Sequence, residues 1–280
     1  MEHRSNRVSR TASTVSSLGS DSQISVNDTD VSVLQSPNGG NITKLYVIGD
    51  LKIDADLIHA IQFDLELQAD YSADGYDCLH NSPLDTAFII ADFEKEKMLL
   101  RALKQFRIYG PTAIKECAHS QKPVLPEAKA NRHGCYYPLY CLSMQNLGIR
   151  FSGYPRRSKQ LIQLITKVRW MGGSVKDPDA DFGKVTHLVS RAAGGYNNKL
   201  AVTFGKQIMS AKWIDAAWER RNETFSSALT LDMMVYKLKP FEKLLMCFVG
   251  FEPSVQKEME TLTEQHGNVF ENVAVMNNYG

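Results

Sequence analysis

Residues 149–173 read IRFSGYPRRSKQLIQLITKVRWMGG. An apolar strand runs into Ser152-Gly153, and a turn carrying Arg156, Arg157 and Lys159 follows. Leu161, Leu164, Ile165 and Val168 then recur at helical spacing, and Gly172-Gly173 closes the helix by supplying the positive φ that other residues resist. Strand, glycine turn and helix N-terminus in succession form an anion site, because unpaired backbone N–H groups and the helix dipole both favour negative charge. The expected ligand is a phosphate, and the rest of the chain bears on whose phosphate it is.

Downstream the pattern continues. A short strand near Ser174-Val175 and an Asp/Pro/Gly loop precede the strand VTHLVS, residues 185–190. The loop Ala193-Gly194-Gly195-Tyr196 leads into a second helix from about Asn197, Gln207-Ile208-Met209 forms a fourth strand, and Ser210 caps a third helix with Trp213, Ala217 and Trp218. This order predicts a mostly parallel four-stranded sheet with helices on both faces, an α/β unit of domain size.

The opening motif recurs. Lys44 to Gly49 (KLYVIG), Gly148 to Gly153 (GIRFSG) and Leu245 to Gly250 (LMCFVG) are each a short apolar strand closed by glycine and followed by a helical pattern. Their spacing of roughly 100 residues predicts three copies of one domain rather than a solenoid. In the first copy Leu57, Ile58 and Ile61 mark a helix, residues 86–92 a buried strand, Leu99, Leu100 and Leu103 a helix, Arg107-Ile108-Tyr109 a strand, and Gly110-Pro111 the start of another helix. The third copy reaches one strand and one helix, with Val255, Met259 and Leu262 inward. The expected divisions are a Ser-rich disordered tail at 1–42, a first unit at 43–118, a linker at 119–143, a second unit at 144–223, a linker at 224–243 and the start of a third unit at 244–280. Within the tail, Arg10-Thr11-Ala12-Ser13 and Ser36-Pro37 match short kinase-acceptor patterns that any Ser-rich segment also produces by chance.

Bulk properties narrow the classes. Over 280 residues the net charge is +1, so a basic site must be local and a global nucleic-acid field is not expected. No apolar run reaches the roughly 18 residues that a membrane span needs, and MEHRSNRVSR lacks the apolar core of a secretory signal, so an intracellular protein without membrane insertion is expected. Five cysteines without a Cys-x-x-Cys pair imply neither a disulfide framework nor a zinc ribbon, and His133, Cys135 and Cys141 make only a partial metal set. No metal and no cofactor are expected.

Strand-Ser-Gly, the helix closed by Gly172-Gly173, VTHLVS, and KWIDAAW with its Trp213 resemble a BRCT domain. The run YPLYCLSMQNLGIRFSGY (137–154), with LITKVRWMGG and KWIDAAWERRNE, resembles the N-terminal tandem BRCT region of the Pebble type of Rho guanine nucleotide exchange factor, which drives cytokinesis. The likeness covers about residues 43–273 and is strongest over 137–223. It implies a non-catalytic phosphopeptide-binding and autoinhibitory module, since the family's exchange domain and pleckstrin-homology domain lie elsewhere. It further implies as partners a phosphorylated centralspindlin subunit (a Rac-type GTPase-activating protein) and the exchange-factor catalytic domain, with an indirect link to a Rho GTPase. The implied locations are nucleus and cytoplasm, then spindle midzone and cleavage furrow during division.

Carried over residue by residue, the family's phosphate pocket falls on Ser152 for its hydroxyl and on Gly153 for its backbone N–H. The lysine that completes such pockets has two candidates: its aligned position holds Asn197, while Lys199 lies two residues on, about 200° around a helix. In the other copies Ile48 and Val249 replace Ser152 and cannot donate, so only the middle unit is an expected reader. The competing role for Ser152 is to cap the helix that follows. Gly172, Gly173 and Trp213 are read as structural, and His187 as a hydrogen-bonded core histidine. A nuclear BRCT scaffold of DNA-damage signalling is the alternative function. A nucleotide-dependent enzyme ranks last, because none of the three turns carries G-x-G-x-x-G or a P-loop pattern.

Overall fold

A computed structural model describes residues 42, 44–79, 82–120, 125, 128–131 and 133–267. The expected tail, apart from Ile42, and its kinase-acceptor patterns lie outside the described residues. The first unit contains β1 (Lys44–Ile48), α1 (Ala55–His59, continued by a π-turn over Ala60–Asp64), β2 (Ala69–Ser72), β3 (Thr86–Ile90), α2 (Lys97–Ala102), β4 (Arg107–Tyr109) and α3 (Pro111–Ala118). The second repeats the order with β5 (Gly148–Ser152), α4 (Lys159–Trp170), β6 (Ser174–Val175), β7 (His187–Ser190), α5 (Tyr196–Thr203), β8 (Gln207–Met209) and α6 (Ala211–Glu219).

Each unit is an α/β sandwich around a four-stranded sheet, ordered β2-β1-β3-β4 in the first and β6-β5-β7-β8 in the second, with every pair parallel. This is the repeated, mostly parallel four-stranded unit flanked by helices that the strand-glycine-helix pattern predicts, and that the BRCT resemblance implies. Parallel strands need crossover helices, which cover both faces, so β3 and β7 are buried throughout, in TAFII and HLVS, and the other central strands, β1 and β5, over most of their length.

The two units share a core. Phe93 of the first stands edge-on to Trp170 of the second, ring centroids 5.3 Å apart, and to Tyr140 at 5.0 Å. Tyr140 in turn meets Trp218 at 5.3 Å, and its hydroxyl, with one proton to donate, lies within hydrogen-bond distance of both Ala91 O (3.0 Å) and Asn222 Oδ1 (2.7 Å). The end of the expected linker therefore behaves as core: Leu139 bridges Tyr109 in parallel, extending the first sheet, while Tyr140 and Cys141 donate to Trp170 O. Gly110 permits this approach, since a Cβ there would lie 2.6 Å from Tyr140 O and 2.8 Å from its Cα. Glu116 on α3 adds a buried polar tie, accepting from Leu142 N (3.0 Å) and, through its other oxygen, from Phe225 N (2.8 Å). Burial pushes its carboxyl above the usual range, opposed by those two N–H donors.

The third copy differs from expectation. Leu245–Val249 form no strand, and α7 (Met233–Tyr236) and α8 (Pro253–Gln265) are the helices beyond the second unit among the described residues. On α8, Val255 and Leu262 are exposed rather than inward, because no sheet lies beneath them, and Thr263 is the buried position. The turn itself recurs: Gly49, Gly153 and Gly250 have φ of 75°, 77° and 81°. No described helix is long and apolar enough to cross a membrane.

Candidate functional site

The site lies at the C-terminal ends of β5 and β7, the edge of an open parallel sheet where ligands of such folds sit. The register pairs Ser152 with Ser190, and the ladder continues one residue further as Arg191 N donates to Ser152 O at 3.0 Å. Gly153 follows in the left-handed region, which turns the chain away from the sheet and frees the Ser152 side chain. Ser152 does not cap the next helix. Ser158 occupies that position and accepts from Leu161 N at 3.2 Å. The hydroxyl of Ser152 instead meets Asn197, whose Nδ2 lies at 3.5 Å.

Asn197 stands in the first turn of α5, whose open N–H groups and positive dipole end face the same region. The loop before α5 is shaped by its neighbours. Gly194 and Gly195 both have φ of 82°, Asn198 donates to Ala192 O (3.0 Å) and Gly194 O, and Ser190 Oγ donates to Ala192 O at 2.7 Å. Ala193 N reaches Glu242 O at 2.8 Å, tying the chain beyond the second unit to this loop.

Of the four residues expected at the pocket, Ser152, Gly153 and Asn197 come together. Lys199 is exposed on α5, two residues past Asn197 and so turned to another side. The expected helix stop holds: Gly172 has φ of 80°, and a Cβ on Gly173 would meet Val168 Cγ1 at 2.8 Å. Trp213 is fully buried and donates from Nε1 to Ala228 O at 3.0 Å. His187 stacks on it at 4.7 Å, with Nδ1 2.9 Å from Thr186 Oγ1, and burial lowers its pKa. Ser210 occupies the position before α6 without a side-chain capping bond, a correction to its expected role. In the first unit Ile48 is buried at the corresponding strand end; in the third copy Val249 is exposed on unpaired backbone.

Two residues escaped the sequence reading. Tyr154, half-buried, packs edge-on against Phe151 at 5.9 Å; burial raises its phenol pKa, and the positive charge of nearby Arg191 opposes that rise. Arg191 itself is exposed beside Gly153, where a Cβ would lie 3.4 Å from its own. The detectable signal was the parallel pairing of VTHLVS with IRFS, which puts the residue after each strand side by side.

No family model matches the chain. Among curated proteins it is similar to Protein ECT2 of Homo sapiens, 32% identical over 201 residues, covering 71% of this chain and 21% of that protein. Protein ECT2 of Mus musculus is 32% identical over 200 residues with the same coverage. The chain thus spans about a fifth of the length of the curated relatives it matches. Among solved structures it is similar to Rad4 BRCT1,2 in complex with a Crb2 phosphopeptide, at 15% identity and a TM-score of 0.27, over 66% of this chain and 94% of that one. Yeast Rtt107 gives 13% identity and a TM-score of 0.32, over 70% and 44%.

Proposed function

We propose that this chain, 32% identical to Protein ECT2 over 71% of its length, is a non-catalytic regulatory module of a Pebble-type Rho guanine nucleotide exchange factor, whose second BRCT unit reads a phosphorylated peptide. The observation that carries this reading is the meeting of the Ser152 hydroxyl, the Gly153 turn and Asn197 at the open end of α5. A phosphate there accepts from the hydroxyl, from the Gly153 N–H and from the side-chain amide, in a field favoured by the helix N-terminus. The first unit presents buried Ile48 at the same place and serves to hold the second through the shared Phe93, Tyr140 and Trp170 core.

The partner in this reading is a phosphorylated centralspindlin subunit, and the setting is cytokinesis, at the spindle midzone and cleavage furrow. When unliganded, the module occludes the exchange-factor catalytic domain. Calorimetry with matched phosphorylated and unphosphorylated centralspindlin peptides tests the first part: the phosphorylated peptide binds more tightly, and Ser152→Ala weakens it by about 1.5–3 kcal/mol, the worth of one charge-assisted hydrogen bond. Equal affinities for the two peptides overturn it.

The inhibitory part has its own assay. Nucleotide release from a Rho-family GTPase by the isolated exchange domain slows in a saturable way as this chain is added, and Ser152→Ala leaves that slowing intact if occlusion uses other surfaces. A rate that stays flat to about tens of micromolar, the weak end of specific association, removes the inhibitory role and leaves the peptide role standing.

A further inference from the structure

Asn197 stands where a lysine completes the pocket in the family likeness, so the charge that balances a phosphate must come from elsewhere. A phosphomonoester carries about −1.5 to −2 at neutral pH, and neutral donors bind it at roughly half the strength of ionised ones. Lys199 does not supply the charge, being turned away on α5.

Arg191 is placed to do so. Its backbone is pinned beside the pocket, because its N–H donates to Ser152 O at 3.0 Å as the last rung of the β5–β7 ladder. Its Cβ faces Gly153, at 3.4 Å from where a Cβ on that glycine would stand, and its charge reaches the Tyr154 phenol on the far side of the turn. The side chain is exposed and makes no ion pair among the described residues.

We propose that Arg191 is the cation of the second unit's phosphate site, taking over from the strand side the role that a helix lysine fills elsewhere. The inference rests on the phosphate reading above and names its missing charge. A guanidinium offers two parallel N–H groups to two phosphate oxygens, so the ligand class is a phosphomonoester whose oxygens stay accessible from the β7 edge, as in a phosphothreonine or phosphoserine side chain.

The test uses the full 280-residue chain, isotopically labelled, with N-acetyl phosphothreonine amide as probe and N-acetyl threonine amide as control, following the Gly153 amide by NMR. Wild type gives a saturable shift with the phosphorylated probe alone. Arg191→Gln weakens binding by at least about tenfold, as loss of a charge-assisted contact requires, and Lys199→Gln changes it by less than about twofold. Asn197→Lys added to Arg191→Gln restores binding, because it returns a cation to the aligned position. Arg191 and Lys199 are exposed and Asn197 is half-buried, and unchanged Leu188 and Val189 amides confirm the fold. If Arg191→Gln binds like wild type while Ser152→Ala does not, the assignment of Arg191 is overturned and the phosphate reading stands. If Lys199→Gln produces the loss instead, Lys199 is the cation. If wild type shows no saturable shift, the phosphate reading itself falls and the assignment with it.

Discussion

Trp213→Ala removes about 3–5 kcal/mol from the stability of the second unit, the usual cost of deleting a fully buried large aromatic. The indole is enclosed on α6, it supports the imidazole of His187 from below, and its Nε1 donates to Ala228 O. Truncation opens a cavity under β7, leaves that carbonyl without its donor and removes the ring that covers a buried histidine. Against a typical domain stability of about 5–15 kcal/mol, most of the second unit's margin is lost. Urea unfolding followed by circular dichroism checks this: the midpoint falls steeply for the variant, and a midpoint equal to wild type contradicts Trp213 as the anchor of α6 on the sheet. Phosphate binding fails in parallel, because β7 carries Ser190 and leads into Arg191.

Tyr140→Ala acts between the units. Wild type unfolds in one cooperative transition, because Phe93, Tyr140, Trp170 and Trp218 form a continuous cluster across the boundary. Truncation costs about 3–5 kcal/mol on the scale for buried aromatics, and it also orphans Ala91 O and the Asn222 side chain. The expected result is a two-step unfolding curve in which the units melt separately. Tyr140→Phe keeps the ring and loses only the hydroxyl bonds, so it costs about 1 kcal/mol and keeps the single step. A single transition with an unshifted midpoint in Tyr140→Ala contradicts the shared core.

Local chemistry explains which parts of this arrangement were legible in the sequence. Gly49, Gly153 and Gly250 betrayed the repeat because a positive φ after a strand is a backbone requirement that glycine alone meets cheaply. The faces of α1, α2 and α4 followed from helical periodicity over a sheet. The same periodicity misled in α8, where Val255 and Leu262 have helical spacing but no sheet to pack on: periodicity reports which residues share a face and says nothing of what covers it.

Leu139 to Ser143 lacked any periodic signal and read as linker. Their burial comes from long-range partners, with Leu139 joining the first sheet and Cys141 N donating to Trp170 O. At the candidate site, Ser152, Gly153 and Asn197 were legible through the strand-turn-helix pattern and the family likeness. The choice between Asn197 and Lys199 was not, since it turns on where α5 begins, and the helix starts at Tyr196. Arg191 was missed because its relation to Gly153 exists only through the pairing of two strands whose residues lie 38 positions apart.

The most direct test of the central claim, that the second unit is a phosphate reader, is retention of an oriented library of phosphothreonine and phosphoserine peptides on the immobilised chain, before and after phosphatase treatment. Phosphatase-sensitive retention, abolished by Ser152→Ala and preserved by a substitution at Ile48, is the predicted result. Retention that survives phosphatase, or that Ser152→Ala leaves unchanged, contradicts it.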